Sequence, residues 1–404
     1  MASRWYNPLT WRMFGYTDPA TGNYVEVDME IGGKRTKSGV RITSKNAMSI
    51  GIVWSCIKIL SETASGLPLK LYDDKGGVRE LVKDRDRVKR ILRKPNPFMT
   101  RLNFLKAVVV NMALRGNAFA IIERSASGEP VGFIPLNCDQ VEVNTDDDLI
   151  YWVAISGERF AVSPQNMLHF KIFSKDGISG LSPIEYQAET MGLAKAGQDW
   201  SAHFMRKGGF TGGYVIYEQF LTKEQQAQVM DKFPDVRAGD AGDIGKMAIL
   251  QGNPKIVPAG LTQKDSQFIE SQQFQEEALA GIWGVPLYLA NRASKTSIMG
   301  SNLEQQTSGF VTFGLKPYLD AIEDELNDKL FGETSRFVEF VVEGLLRADS
   351  AGRASYYSSA LGGSGGSGWM TINEVREKEN LPRLTGEEYN RVTRWEMQTN
   401  VQQN

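Results

Sequence analysis

One segment, "GISGLSPIEYQAETMGLAKAGQDWSAHFMRKGG" (177–209), constrains the fold more than any other. It reads as a single helix over 182–207, with Ser182 as N-cap, Pro183 in the first turn and Glu185 completing a capping box. Gly208 and Gly209 end it. About 25 residues at 1.5 Å rise give roughly 37 Å, long for a globular core. Its apolar residues form two faces. Tyr186, Leu193 and Trp200 recur every seven positions, while Ile184, Met191, Ala202 and Met205 lie on another side. Ala188, Gly192, Ala196 and Gly197 are small enough for close helix approach. A helix apolar on two sides needs more than one neighbour, and other subunits can supply them.

A second long helix is expected at 264–283, with a polar strip at Glu270, Gln273 and Glu277 and a largely apolar remainder. Residues 210–263, between the two helices, read as a small module of short strands, a helix after Thr222 and a Gly/Asp-rich turn. Upstream, "NAMSIGIVWSCIKILSETASGLP" (46–68) reads as a mostly buried helix, and "LPLKLYDDKGGVREL" as a hairpin turning at Asp74–Gly77. Helices are expected at 85–95 and 101–115. From Asn117 to Phe173 the runs alternate as in an antiparallel, β-rich body.

Downstream, "WGVPLYLANRASKTSIMGSNLEQQ" (283–306) carries a polar loop with Arg292, Ser294, Lys295, Thr296 and Ser297. The next helix, within 301–331, has an apolar stripe of Leu319, Ile322, Leu326 and Leu330. An acidic set lies opposite, and Pro317 should kink or divide the helix. "RFVEFVVEGLL" reads as a returning strand, "ADSAGRASYYSSAL" as a helix and "GGSGGSG" (362–368) as a flexible linker. A last helix starts at Thr371, with Glu374 three residues on.

Chemistry is sparse. The chain of 404 residues has a net charge of −2, with 41% hydrophobic residues, which reads as folded and soluble. No run of apolar residues is long enough to span a membrane, and the first residues lack the apolar core of a signal peptide. Cys56 and Cys138 read as buried free thiols in a reducing compartment. His169 and His203 are the only histidines, without metal-ligand spacing, so no metal or other cofactor is expected. His169, within "NMLHFKIF", reads as a structural histidine. "GGSGG" matches a nucleophile-elbow pattern but lies in linker, and "GDAGDIGKM" fails the phosphate-loop pattern. Acidic pairs such as Asp324/Glu325 and Glu387/Glu388 read as solvated helix faces. Ser294 and Lys295 could belong to a hydrolase loop, but no base is placed to activate the serine. The residues argue against an enzyme.

Four ordered strings carry a resemblance: "GLSPIEYQAETMGLA" leading to "FMRKGG", "DSQFIESQQFQEEALAGIWGVPLYLA", "FGLKPYLDAIEDELNDKLF" and "GWMTINEVREKENLPRLTGEE". Together, over about residues 40–390, the chain resembles the portal proteins of long-tailed bacteriophages with lambda-like capsids. The resemblance implies an α+β portal fold. It divides the chain into an N-terminal arm (1–45), a wing (46–181), a first stem helix (182–209), a clip (210–263) and a second stem helix (264–284). A tunnel loop (285–302), a kinked channel helix (303–332), a wing return segment (333–361), the flexible linker (362–368) and a crown with tail (369–404) follow.

The resemblance further implies a cyclic homo-oligomer, usually a dodecamer, at one capsid vertex of the virion, assembled in the host cytoplasm. Double-stranded DNA would pass through its channel in packaging and ejection. The expected partners are the terminase large subunit, the major capsid protein or scaffold, and head–tail connector proteins. Candidate channel residues are Arg292, Ser294, Lys295, Thr296 and Ser297, with Arg206 and Lys207 at the end of the first stem helix. Lys and Arg also suit a helix C-terminus electrostatically. Candidate motor-docking residues of the clip are Lys223, Lys232, Arg237 and Lys246. An adaptor ring that joins capsid to tail without meeting the motor is the alternative.

Overall fold

The computed structural model describes residues 15–17, 24–26, 34–76, 78–82, 85–145, 148–155, 158–206, 213–217, 222–225, 248–251, 256–258, 264–291, 306–332, 334–342, 350–363, 367–379 and 381–392. The chain divides into two compact units, Met1–Phe340 and Val341–Asn404.

The first unit opens with two short antiparallel ladders, β1 (Gly15–Thr17) with β2 (Tyr24–Glu26) and β3 (Lys34–Arg35) with β4 (Arg41–Ile42). The helix expected at 46–68 is in two pieces. Thr43 and Asn46 close a capping box around the single turn α1 (Ser44–Ala47), and α2 (Gly51–Gly66) restarts after Ile50, which has an extended backbone. The hairpin β5 (Leu69–Lys75) and β6 (Val78–Leu81) follows as expected. Helix α3 (Arg87–Arg93) is capped by Asp86, and α4 (Arg101–Arg115) by Thr100; Gly116 in a left-handed conformation ends α4. Helices α2 and α4 pack along their lengths, burying Ile52, Val53, Cys56, Ile57 and Leu60 with Phe104, Leu105, Val108, Val109 and Met112. Each such side chain is worth about 1.5–3 kcal/mol in transfer from water.

The β-rich body consists of two antiparallel three-stranded sheets. In one, β7 (Asn117–Arg124) is central, flanked by β8 (Pro130–Leu136) and β12 (Met167–Lys171). The other is the meander β9 (Val141–Asn144), β10 (Ile150–Ile155) and β11 (Glu158–Val162). Phe119, Leu136, Tyr151, Val153 and Met167 form the core between them.

The long helix is broken once. Ser182 accepts from the Glu185 N–H as expected of an N-cap, but α5 (Pro183–Tyr186) stops at Gln187, whose φ/ψ of −105°/19° is not helical. Helix α6 (Ala188–Arg206) then continues. The intervening module has β13 (Gly213–Tyr217) between parallel β14 (Ala248–Gln251) and antiparallel β15 (Ile256–Pro258). Helix α7 (Lys264–Ile282) packs on both α2 and α6. The next helical stretch, from 306, contains a π-helical segment at Phe310–Leu315 before α8 (Lys316–Leu330). Strand β16 (Arg336–Phe340) returns to pair with β5, giving a third sheet in the order β16, β5, β6.

The second unit contains α9 (Ser350–Ala360) and α10 (Ile372–Lys378), the latter opened by the expected Thr371/Glu374 capping box. The segment 350–360 falls in this unit and the returning strand in the first. Of the linker expected at 362–368, residues 364–366 lie outside the described residues, and its described ends are held close together. The N–H groups of Trp369 and Met370 both donate to the Ala360 carbonyl, and Tyr357 donates to Glu379. A Cβ at Gly368 would lie 2.9 Å from the Leu361 carbonyl carbon, so glycine is there for close packing. No helix among the described residues is long and apolar enough to cross a membrane.

Candidate functional site

The polar loop after α7 is rooted in structure on both sides. At its entrance, the Gly284 N–H donates to Gly281 and the Val285 N–H to Ala280, the paired bonds that close a helix C-terminus. Gly284 has φ +61°, a conformation costly for any residue with a Cβ. Buried Trp283 donates its indole N–H to the Ala113 carbonyl at 2.8 Å. A 3-10 turn, Leu287–Ala290, follows and ends at Asn291, also left-handed at φ 54°.

The exit of the loop returns to the same place. The hydroxyls of Tyr288 and Thr307 are 2.7 Å apart. A Cβ on Gly314 would lie 2.7 Å from the Gly284 carbonyl oxygen, and one on Gly284 would lie 3.2 Å from the Gly314 Cα. Two backbones therefore touch at paired glycines. The π-helical segment there has a sequence cause in Pro317. Proline lacks an N–H, and its ring collides with the carbonyl four residues earlier. The Lys316 N–H instead reaches the Val311 carbonyl, five residues back. The expected disturbance at Pro317 is thus a widened turn that leads directly into α8.

Arg292, Ser294, Lys295, Thr296 and Ser297 lie outside the described residues, as do Lys207, Lys232, Arg237 and Lys246. Arg206 is exposed at the end of α6 and donates to His203 Nδ1 at 2.8 Å. Lys223 is exposed in a short helical turn opened by Thr222, whose N–H donates to Gln225.

The small residues of α6 serve two different neighbours. A Cβ on Gly197 would meet Gln272 of α7 at 2.2 Å, so this glycine does allow close helix approach. Gly192 instead receives Thr36, beside the β3–β4 hairpin, at 2.6 Å from an added Cβ. The Lys37 N–H donates to Glu189 at the same crossing. One apolar face is buried within the chain at Ile184, Ala188, Met191 and Ala194. On the other, Tyr186 and Leu193 are each 54% exposed, and Phe274 of α7 is 72% exposed. Ala202, expected on the first face, is exposed.

Helix α8 departs from the sequence reading most. Glu325 is not on a solvated face; it accepts from the His169 N–H at 2.9 Å, on the open edge of β12. Glu323 accepts from the Phe340 N–H at 2.7 Å, on the open edge of β16. Asn327 both donates to the Val338 carbonyl and accepts from its N–H. These side chains give two edge strands the partners that a further strand would provide. Burial raises the pKa of Glu323 to about 7 and also raises that of Glu325. Sequence spacing gave no sign of these contacts, because the partners are distant in the chain.

His169 has the structural role expected of it. Asn117 Oδ1 accepts from the Gly180 N–H and lies 2.9 Å from His169 Nε2, so that nitrogen donates; Nδ1 accepts from the Tyr151 hydroxyl. Burial, aided by the charges of Lys171 and Lys329, lowers the pKa of His169 to about 3 and keeps it neutral. Burial pushes the Cys56 and Cys138 thiols up to about 12, so neither is a ready nucleophile. Among the described residues, no cluster of His, Cys, Asp and Glu could hold a metal ion.

This order of elements is shared with solved structures. A chain from the neck of an empty gene transfer agent (GTA) particle matches 88% of this chain and 98% of its own length, with a TM-score of 0.60 at 20% identity. An HK97-family phage portal protein from Corynebacterium diphtheriae covers 78% of this chain and 98% of its own, with a TM-score of 0.56 at 16% identity. The fold is therefore a portal fold. Residues 52–380 match the family described as phage portal protein. The portal protein of Enterobacteria phage HK97 is 30% identical over 352 residues, 85% of this chain and 82% of that one. The probable portal protein of Streptomyces phage phiC31 is 29% identical over 377 residues, 88% of this chain and 80% of that one. The chain belongs to the phage portal protein family, and its role is structural, not enzymatic.

Proposed function

We propose that the chain assembles into a closed ring at one vertex of a phage capsid and forms the conduit through which double-stranded DNA enters and leaves. The supporting observation is the exposed apolar face of the long α5–α6 segment. Tyr186 and Leu193 remain open to solvent although the opposite face is packed, as a heterologous ring contact requires. In this reading α5–α6 and α7 are stem helices, 210–263 is the clip, 46–175 with 336–340 the wing, and the Val341–Asn404 unit includes the crown. Native mass spectrometry and electron microscopy test it: rings under at least one assembly condition are expected. Compact monomers under every condition would overturn it.

Arg292 and Lys295, with Ser294, Thr296 and Ser297, then face the lumen and touch DNA phosphates transiently. The clip meets the terminase large subunit during packaging and head–tail connector proteins afterwards, with Lys223, Lys232, Arg237 and Lys246 as candidate contacts. The ring is a dodecamer held by capsid or scaffold subunits and remains in the virion. Arg292→Glu with Lys295→Glu should stall packaging while rings still form; normal packaging would exclude this role for the loop. Deleting 212–260 should abolish packaging, and intact packaging would favour an adaptor ring that never meets the motor.

A further inference from the structure

In a chain of net charge −2, residues 85–101, "RDRVKRILRKPNPFMTR", hold seven cationic side chains and one carboxylate. That carboxylate is already engaged. Asp86 caps α3 through the Val88 and Lys89 N–H groups and pairs with Arg336 at 2.9 Å. Helix α3 is held to the body by Ile91 and Leu92, which are buried, leaving Arg87, Arg90, Arg93 and Lys94 exposed. Among the described residues, none of these four, nor Arg101, has a hydrogen-bonding or ion-pair partner for its charged group.

Their arrangement makes a continuous surface. Arg87, Arg90 and Lys94, with Ser125 and Ser127 from the β7–β8 turn, line a shallow cleft of about 460 Å³. Arg90, Arg93, Thr100 and Arg101 line a second of about 360 Å³. Arg90 stands on both walls, and neither cleft has a carboxylate in its lining. Burial lowers the pKa of Arg101, an unneutralised guanidinium that gains from an incoming anion.

We propose that this face of α3, with the start of α4 and the β7–β8 turn, binds the phosphate backbone of duplex DNA without regard to sequence. The cations run in a stripe; positions 87, 90 and 94 span about 10 Å of helix at 1.5 Å per residue. A stripe suits a line of phosphates, which recur every 3.4 Å of helix axis on each strand (roughly, for B-form DNA). Guanidinium forks and serine or threonine hydroxyls are the groups that contact phosphate oxygens. An acidic peptide would also be attracted, but peptide recognition depends on apolar pockets for anchoring side chains. Here the exposed apolar side chains are Phe98, Val131 and Leu102, and the clefts themselves are lined mainly by cations and hydroxyls. The surface uses none of the loop residues and needs no ring, so it goes beyond the conduit reading.

The test is binding of a short random-sequence duplex to the full chain by fluorescence anisotropy, across about 50–200 mM salt. Wild-type binding should weaken steeply with salt. The combined variant Arg87→Glu, Arg90→Glu and Arg93→Glu should bind more than about tenfold more weakly at low salt. The triple Arg→Gln variant, which removes charge without reversing it, should flatten the log–log salt slope by about 2.7, at 0.9 per lost phosphate contact. Both variants should keep the wild-type melting curve. Arg383→Gln with Arg391→Gln, two exposed guanidiniums already paired with Glu377 and Glu387, should bind within about twofold of wild type, since neither offers a free charge to a phosphate. Duplex binding unaffected by the α3 variants, binding lost equally in this control variant, or poly-glutamate captured in preference to DNA would each overturn the proposal. Ring formation is unaffected by any of these outcomes.

Discussion

The indole N–H of Trp283 reaches the carbonyl of Ala113 at 2.8 Å, joining the end of α7 to the last turn of α4. The final carbonyls of a helix have no partner within it, so this bond satisfies an acceptor that is otherwise stranded in the core. Trp283→Phe keeps much of the apolar volume and removes the donor. A loss of about 1–3 kcal/mol is expected, the cost of a buried acceptor left bare. Urea denaturation of the unassembled chain measures it; a change within a few tenths would mean that water replaces the bond.

Gly284 and Gly314 should not tolerate a methyl group. Gly284→Ala meets a left-handed backbone and a Cα at 3.2 Å, and Gly314→Ala meets a carbonyl oxygen at 2.7 Å. Each should destabilise the chain by about 1–3 kcal/mol, the range for strained backbone. The double variant should cost less than the sum, since both press on one contact. Thermal melts of the three variants give the comparison, and strict additivity would show that the glycines act separately.

Glu323 predicts a pH dependence. Its pKa in the folded chain is raised by burial to about 7 from 4.5, so between those values the folded state holds a proton that the unfolded state has released. Stability therefore falls as pH rises through this window. Glu323→Gln retains an oxygen for the Phe340 N–H and removes the titration. The variant should gain stability relative to wild type at pH above about 7 and show a flatter profile across the window. Parallel pH profiles would remove Glu323 as the cause.

Leu193→Asp should separate folding from assembly. Leu193 is more than half exposed, so its replacement should change chain stability by no more than about 0.5 kcal/mol. Under conditions where the wild type forms rings, the variant should remain monomeric by native mass spectrometry. Rings at normal yield would place the subunit contact elsewhere on the stem.

Local features were legible in the sequence. The caps at Ser182 and Thr371, the hairpin after Pro68 and the disturbance at Pro317 all depend on residues close together in the chain. The stop at Gln187 was not legible, since glutamine is a good helix former and no breaker marks it. Gly192 and Gly197 are alike in sequence, yet one receives a hairpin and the other a helix. Glu323 and Glu325 looked like surface charge because nothing local reveals a strand edge awaiting a partner. At the candidate loop, the glycine pair and Tyr288 mark its roots, while the basic residues themselves lie outside the described residues.

The two carboxylates of α8 also limit how that helix can move. Glu323 and Glu325 stand two positions apart, about 200° around the axis, and hold edges of different sheets. Turning the helix about its own axis in either direction displaces both carboxylates from the strand edges they hold. Torque arriving from the loop side therefore cannot be absorbed as rotation of α8. It must be taken up in the widened turn at Phe310–Leu315, or be passed undiminished to both sheets together.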